Sequence, residues 1–217
     1  MAASEINYVM EQEAGTLTLS RSRLLDVVKR LSQTGQSFCL LAYTYVLFQH
    51  VVLPLLQAGA IQLPKNAKVI HFGGWKRLLD QAVPRAVFMD GLTKAFGIEP
   101  QQVCDIYGFT EQLGVVYPDD GFGVKRIPVF AEVIVRDPIT LEVLPEGETG
   151  FLEFVTPLPH SYPGVAVLLD DMGRSLRHLS GENGEPALGI EVIGSAARAE
   201  IRGCGDTLPE RIYEMEL

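Results

Sequence analysis

Basic residues are in the minority in this sequence. The 217 residues include 18 lysines and arginines against 27 aspartates and glutamates, which gives a net charge of −9 at pH 7. Because a nucleic-acid partner requires a stripe of positive charge to neutralise its phosphates, this balance argues against nucleic-acid binding. A small anionic ligand is still compatible with it, since backbone amides and single cations can bind one.

Cysteine is also scarce, and its spacing excludes two kinds of structure. Cys39, Cys104 and Cys204 form neither a Cys-x-x-Cys pair nor an even-numbered framework. This argues against a structural zinc site and fits a reducing compartment. Cys39 and Cys104 fall in apolar runs, so we expect them to be buried and inert. Cys204 stands between two glycines with Arg198 and Arg202 nearby, a setting that favours an accessible thiolate.

No uninterrupted apolar run in the sequence is long enough to cross a membrane. Residues 40–56 are rich in apolar side chains, but Thr44, Gln49, His50 and Pro54 interrupt them, which favours a buried helix. The first residues, MAASE, have neither the basic nor the apolar region of a secretory signal. We therefore expect a cytoplasmic protein without a membrane span.

Strands and helices alternate over the first half of the sequence. Apolar runs that predict strands occur at 38–43, 68–72 and 103–107. Apolar residues at helical spacing predict helices at 20–35, 44–57 and 84–96. The alternation predicts an α/β subdomain, a parallel sheet with covering helices, over residues 1–118. Residues 119–217 carry short strands separated by turns, which predicts a small antiparallel β subdomain.

The third predicted strand is followed by a glycine, a hydroxyl and a carboxylate. Gly108 lets a ligand or the backbone approach closely, Thr110 can donate to a phosphate oxygen, and Glu111 can bind a hard cation such as Mg²⁺. Open α/β sheets bind their ligands at such strand ends. The same residues are also typical of an ordinary helix start with Thr110 as its N-cap, and this alternative stays open.

Two further segments carry residues suited to ligand binding, each with structural alternatives. Gly73 and Gly74 follow a strand, where bare backbone can accept a base or a sugar, or simply form a tight turn. Lys76 can neutralise a carboxylate or a phosphate, or lie at the surface. Asp171, in the acidic pair 170–171, can accept both ribose hydroxyls, or belong to a plain turn.

In their order and spacing, these segments resemble the adenylate-forming superfamily and, within it, the LuxE-type acyl-protein synthetases of bacterial fatty-acid reductase systems. Residues 107–111, YGFTE, are similar to the Tyr-Gly-x-Thr-Glu motif, and residues 71–76, HFGGWK, to a more restricted Gly-Gly-Trp-Lys segment. Residues 146–150, EGETG, resemble the turn before a barrel strand. Asp171 matches the ribose-binding aspartate, and residues 202–204 resemble the segment that carries the acylated cysteine.

The resemblance implies ATP-dependent activation of a fatty acid to acyl-AMP, followed by transfer to a cysteine thiol and onward to a partner reductase. The implied cofactors are ATP and Mg²⁺, with Mg²⁺ held by Glu111. The implied catalytic residues are Thr110, Glu111, Cys204 and Lys76. The residues implied in nucleotide binding are Gly73, Gly74, Tyr107, Gly108, Thr110 and Asp171.

The sequence departs from the superfamily pattern in three places. It has no Ser/Thr/Gly-rich phosphate loop upstream of Tyr107, and it lacks the large C-terminal lid with its lysine. It also has Gly194-Ser195 in place of a Gly-Arg hinge, so that the arginine is missing or replaced by Arg198. We therefore expect weak ATP binding and little turnover by the isolated chain. Three interpretations stay open: an enzyme completed by an upstream half, a carboxylate–CoA ligase fragment of the phenylacetate type, and a non-catalytic subunit of an acyl-transfer complex.

Overall fold

A computed structural model describes residues 5–13, 16–119, 121, 123–179 and 186–195. The described residues form two compact units, one ending at Val103 and the other beginning at Cys104. The division at residue 118, which the sequence suggests, stays a prediction. No helix in these described ranges is both long and apolar enough to cross a membrane.

The first unit combines a hairpin, a parallel strand pair and helices. Its antiparallel hairpin consists of β1 (Met10–Glu13) and β2 (Thr16–Leu19). The parallel pair consists of β3 (Phe38–Tyr43) and β4 (Ala67–Phe72). Its helices are α1 (Arg21–Thr34), α2 (Thr44–Val46), α3 (Leu53–Ala58) and α4 (Arg85–Phe96). The predicted α/β character of this half of the chain is confirmed.

Helix α1 shows how the hydrophobic pattern places these elements. Leu24, Val28 and Leu31 recur at helical spacing and are all buried. Gly35 follows the helix with a φ of 66°, in the left-handed region that ends many helices and that glycine adopts without strain. The sequence pattern therefore predicts both the buried face of this helix and its end.

A π-helical turn, Leu47–Val52, connects α2 to α3 and was not predicted from the sequence. Pro54 lies in the first turn of α3. Proline has no N–H, and its ring clashes with the carbonyl four residues earlier, which is that of His50. A wider turn relieves this clash, so we attribute the π turn to Pro54.

The two faces of the parallel strand pair differ in burial. Ala67 and Val69 are fully buried, and Leu40 packs against the same core. Because successive side chains of a strand point to opposite faces, Cys39 and Leu41 lie on the other side. Leu41 is 61% exposed, and Cys39 is exposed as well. The prediction that Cys39 is a buried thiol is therefore wrong, since β3 buries only one of its faces.

The second unit is dominated by antiparallel strands. Strand β5 (Val103–Tyr107), which starts at the last residue of the first unit, pairs antiparallel with β6 (Tyr117–Pro118). The other five strands form one sheet in the order β7-β11-β10-β9-β8. Their bounds are β7 (Lys125–Arg126), β8 (Glu132–Arg136), β9 (Gly150–Val155), β10 (Ala166–Leu179) and β11 (Pro186–Ser195). The predicted antiparallel sheet is confirmed.

An aromatic cluster packs in the core of this unit. Tyr117 and Phe154 are fully buried, with their ring centroids 5.1 Å apart. Phe109 lies 4.7 Å from Phe154, and Tyr107 lies 5.7 Å from the same ring. Because Tyr107 and Phe109 flank Gly108, this cluster fixes the strand end from which the YGFTE segment continues.

A buried ammonium connects β5, β6 and β7. Lys125 is 5% exposed, and its Nζ lies 2.5 Å from Oδ2 of Asp105 and 3.6 Å from Oδ2 of Asp119. The side chain of Asp119 is only 2% exposed. An ammonium this deeply buried requires compensating carboxylates, and the two aspartates supply them.

Candidate functional site

Thr110 and Glu111 lie in a short 3₁₀ turn, Thr110–Gln112, three residues after β5 ends. Both side chains are exposed, and Oγ1 of Thr110 donates to Oε2 of Glu111 at 3.2 Å. The N-cap position belongs to Phe109, so the alternative in which Thr110 caps a helix is wrong. The hydroxyl and the carboxylate thus stand side by side and open to solvent.

Gly108, between the strand and this turn, is exposed, but one side of it meets backbone. A Cβ at this position would lie 3.4 Å from the carbonyl oxygen of Val115. This is an ordinary van der Waals distance, so the described residues show no backbone approach that requires a glycine at position 108. Its role toward a ligand stays a prediction.

Asp171 lies within strand β10, which runs from Ala166 to Leu179. The alternative in which residues 170–171 form a turn is therefore wrong. The register of β10 is irregular between Leu168 and Met172 and shifts again at Gly173. A Cβ at Gly173 would lie 2.5 Å from the carbonyl oxygen of Glu191, so only glycine fits this close approach. Such irregularities redirect side chains, here in the stretch that carries Asp171.

The carboxylate of Asp171 accepts hydrogen bonds from two hydroxyls of the second unit. Tyr107 donates from its Oη to Oδ2 at 2.5 Å, and Ser195 donates from its Oγ to Oδ1 at 2.8 Å. Burial, together with the negative charge of Asp171, raises the pKa of Tyr107 well above its ordinary value. The phenol therefore stays protonated and remains a donor at neutral pH. Each oxygen of the Asp171 carboxylate thus accepts a hydrogen bond from the protein, and the two bonds fix the orientation of the carboxylate.

Sequence reasoning missed the residues that anchor the Thr110–Glu111 turn. Gln112 is 1% exposed and donates from Nε2 to the carbonyl oxygens of Phe154 and Gly164, at 3.0 and 2.9 Å. The hydroxyl of Tyr162 donates to the carbonyl oxygen of Glu111 at 2.5 Å. The sequence marks Gln112 as a candidate only through its position beside Glu111. It does not mark Tyr162, which lies 51 residues away from Glu111 in a segment without a motif.

The roles of the remaining predicted site residues stay predictions. Gly73 and Gly74 follow β4 in the first unit, with positive φ angles of 84° and 62°. These angles fit the tight-turn alternative directly. Lys76 begins a 3₁₀ turn, Lys76–Gln81, and only its backbone is described. Cys204 lies outside the described residues.

The exposed Glu111 carboxylate fits one part of a magnesium site. Within the described ranges, no group of three or more histidine, cysteine, aspartate or glutamate side chains could hold a metal ion. Mg²⁺ commonly uses one or two carboxylates together with substrate phosphates and water. An ion at Glu111 would therefore need phosphate oxygens to complete its ligands, and Mg²⁺ binding by Glu111 stays a prediction.

The fold is that of adenylate-forming enzymes. An open conformation of 2-hydroxyisobutyryl-CoA ligase, in complex with 2-HIB-AMP and CoA, matches 84% of this chain and 42% of its own, with a TM-score of 0.56 and 14% identity. The O-succinylbenzoate coenzyme A synthetase of Bacillus subtilis, in complex with AMP, matches 82% of this chain and 35% of its own, with a TM-score of 0.51 and 15% identity. At these identities the likeness shows the fold alone.

Within this fold class, the chain belongs to the LuxE acyl-protein synthetase family, whose model matches residues 2–213. Two long-chain-fatty-acid–luciferin-component ligases are curated relatives. The one from Vibrio harveyi is 26% identical over 178 residues, covering 82% of this chain and 46% of the relative. The one from Aliivibrio fischeri is 22% identical over 207 residues, covering 94% and 53%. The chain spans about half the length of these relatives, and the predicted family is confirmed.

Proposed function

We propose that this chain is part of an ATP-dependent acid–thiol ligase that activates a long-chain fatty acid as acyl-AMP and passes the acyl group to Cys204. The observation that carries the proposal is the hydrogen bond from Tyr107 to Oδ2 of Asp171. It orients a carboxylate suited to a ribose diol, in the same unit that exposes Thr110 and Glu111. Family membership supports the reaction class, and the names of the curated relatives support the choice of acid.

Each residue has a role that follows from its chemistry. Asp171 accepts hydrogen bonds from the ribose hydroxyls, with Tyr107 holding one of its oxygens in place. Thr110 donates its hydroxyl to a phosphate oxygen, and Glu111 supplies a carboxylate ligand. Mg²⁺ bound there would neutralise the charge that builds on the phosphate oxygens.

The proposed reaction has two steps. An oxygen of the fatty-acid carboxylate attacks the α-phosphorus of ATP, a P–O bond forms, and the bond to pyrophosphate breaks. The thiolate of Cys204 then attacks the acyl carbon, a thioester forms, and AMP leaves with the electrons of the broken C–O bond. The proposal includes two partners. A reductase-like protein receives the acyl group from Cys204, and a second polypeptide supplies the hydrogen-bond donors for the β- and γ-phosphates.

The second step can be tested separately from the first by supplying a long-chain acyl-AMP to the purified chain. We expect the wild-type protein to gain one acyl group in its intact mass, and hydroxylamine to remove that group. Cys204→Ser should abolish the addition. Cys39→Ser is the matched control, because Cys39 is an exposed thiol that a non-specific reaction would also acylate.

Acylation of Cys204→Ser at the wild-type rate would contradict the proposed acceptor. A chain that leaves acyl-AMP intact, yet acylates added coenzyme A, would support the carboxylate–CoA ligase alternative. The non-catalytic alternative would be favoured by two results together. Neither reaction would occur, and Glu111→Gln and Asp171→Asn would have the same activity as the wild type in a complex with the partner protein.

A further inference from the structure

Gln112 anchors the turn that carries Thr110 and Glu111. Both hydrogens of its side-chain amide are used, because Nε2 donates to the carbonyl oxygens of Phe154 and Gly164. Phe154 belongs to β9, and Gly164 lies near the end of the connection that leads from β9 to β10, two residues before β10 begins at Ala166. A nearly fully buried amide with two fixed acceptors ties the residue next to Glu111 to both ends of this connection.

The loop of residues 157–164 also contacts Glu111 directly. The hydroxyl of Tyr162 donates to the carbonyl oxygen of Glu111. A Cβ at Gly164 would lie 2.9 Å from that same oxygen and 2.3 Å from the ring of Tyr162. Gly164 therefore lets the loop backbone pack against the peptide of Glu111, where no larger residue fits.

We propose that Gln112 and Tyr162 are positioning residues for the nucleotide-phosphate and magnesium site. They fix the backbone of the Thr110–Glu111 turn at its carboxyl end, Tyr162 through the Glu111 carbonyl and Gln112 through its own side chain, so that the two exposed side chains of the turn face a bound phosphate in one arrangement. A three-residue 3₁₀ turn has little regular structure of its own to hold it. Polar groups that bind a reacting phosphate must be held to a fraction of an ångström, which requires a supporting set of hydrogen bonds.

The inference rests on the proposed function, because it gives the turn a nucleotide to face. It adds that the 157–164 loop is part of the site, although no residue in this loop belongs to a recognised motif. Gln112 and Tyr162 do not themselves contact the phosphate in this scheme. They act through the peptide of Glu111.

Tyr162→Phe is the sharpest test, since it removes one oxygen from a side chain that is 40% exposed and leaves the ring in place. Tyr8→Phe is the matched control, because Tyr8 is 77% exposed and lies in the other unit. Two quantities are measured: the amide hydrogen exchange of residues 110–113 without ligand, and the ratio of the ATP dissociation constants without and with Mg²⁺.

For Tyr162→Phe we expect the exchange of residues 110–113 to rise by about threefold to tenfold, as the loss of one hydrogen bond predicts. We expect the gain in ATP affinity on adding Mg²⁺ to fall by a similar factor. Tyr8→Phe should change neither quantity. The Mg²⁺ ratio separates positioning from a merely structural role, because a general loss of stability weakens ATP binding with and without the ion alike.

Each outcome tests either the positioning role of Gln112 and Tyr162 or the proposed function. Unchanged exchange at residues 110–113 would overturn the anchoring role, whatever the nucleotide does. Faster exchange with an unchanged Mg²⁺ ratio would show a structural contact only and would also overturn the inference. A wild-type protein without any Mg²⁺-dependent ATP binding, both alone and in complex with the proposed second polypeptide, would instead overturn the proposed function, and with it the role of both residues toward phosphate.

Discussion

Ser195 and Asp171 face each other across the antiparallel ladder of β11 and β10, and the Ser195 hydroxyl donates to Oδ1 of Asp171 at 2.8 Å. A ribose hydroxyl that bound the same oxygen would compete with this hydroxyl. By resemblance, Ser195 follows the glycine of the hinge pattern, whose arginine is missing or replaced by Arg198. We therefore predict that Ser195 and a bound ribose compete for the carboxylate of Asp171.

Removal of the competing hydroxyl is expected to strengthen nucleotide binding. Ser195→Ala leaves Oδ1 of Asp171 available, so we expect AMP to bind about twofold to fivefold more tightly, as measured by calorimetry. Asp171→Asn should weaken AMP binding by about tenfold or more, because an amide cannot accept both ribose hydroxyls. Asp170→Asn is the control, since Asp170 is an exposed carboxylate next to Asp171 in the same strand. Equal losses in the two aspartate variants would contradict the role of Asp171.

The phenol of Tyr107 is expected to make stability depend on alkaline pH. Its pKa is raised by burial and by Asp171, so its contribution is complete below its ordinary pKa of about 10. As the pH rises above that value, the unfolded chain loses this proton more readily than the folded one, and stability falls. Tyr107→Phe should cost about 1–2 kcal/mol at pH 7 and flatten this decline.

The measurement is urea unfolding followed by circular dichroism between pH 7 and pH 11. Tyr117→Phe is the comparison, because burial alone raises the pKa of Tyr117 to about 12. A decline that is as steep in Tyr107→Phe as in the wild type would contradict the assignment.

The two glycines after β4 should differ in their tolerance of a side chain. Both have positive φ angles, so replacement by alanine costs about 1 kcal/mol of backbone strain at each. At Gly73 the new Cβ would also lie 3.1 Å from the ring of Tyr43, whereas at Gly74 it meets no atom within 4 Å. We expect Gly73→Ala to destabilise the first unit more than Gly74→Ala, by about 1 kcal/mol in urea unfolding. Equal losses would show that the Tyr43 ring moves aside freely.

The buried ammonium of Lys125 should be difficult to replace. Lys125→Met leaves the carboxylates of Asp105 and Asp119 without the charge that compensates them, so we expect a loss of about 3–5 kcal/mol. The matched control is Lys94→Met, which breaks an exposed pair with Asp90 and should cost no more than about 0.5 kcal/mol. The free energy of unfolding measures both. A cost at Lys125 as small as that at Lys94 would mean that water reaches the carboxylates.

Local patterns were sufficient to predict most elements of the fold. Leu24, Val28 and Leu31 mark the buried face of α1, and Gly35 marks its end, because both signals act within one helix. The π turn before Pro54 was missed, since helical periodicity does not show how a proline is accommodated. The open face of β3 was missed as well, because an apolar run does not show which of its sides another layer covers.

In the candidate site, too, the residues of a local motif were predicted and the long-range contacts were missed. The YGFTE segment places Thr110 and Glu111 correctly at a strand end, since the motif is contiguous. Its supports come from distant parts of the chain: Asp171 reaches Tyr107 across 64 residues, and the Gly164 carbonyl reaches Gln112 across 52. Such contacts depend on sheet register and on the bulge near Gly173, neither of which leaves a local pattern in the sequence.

The packing of Trp75 has a spectroscopic consequence. It is the only tryptophan of the chain, and its ring lies edge-on to Phe48 and Phe88, with centroids 5.7 and 6.4 Å away, in the core of the first unit. Indole emission therefore reports the melting of that unit alone. Circular dichroism reports both units, so a comparison of its transition with that of the indole emission decides whether the halves of this protein unfold together.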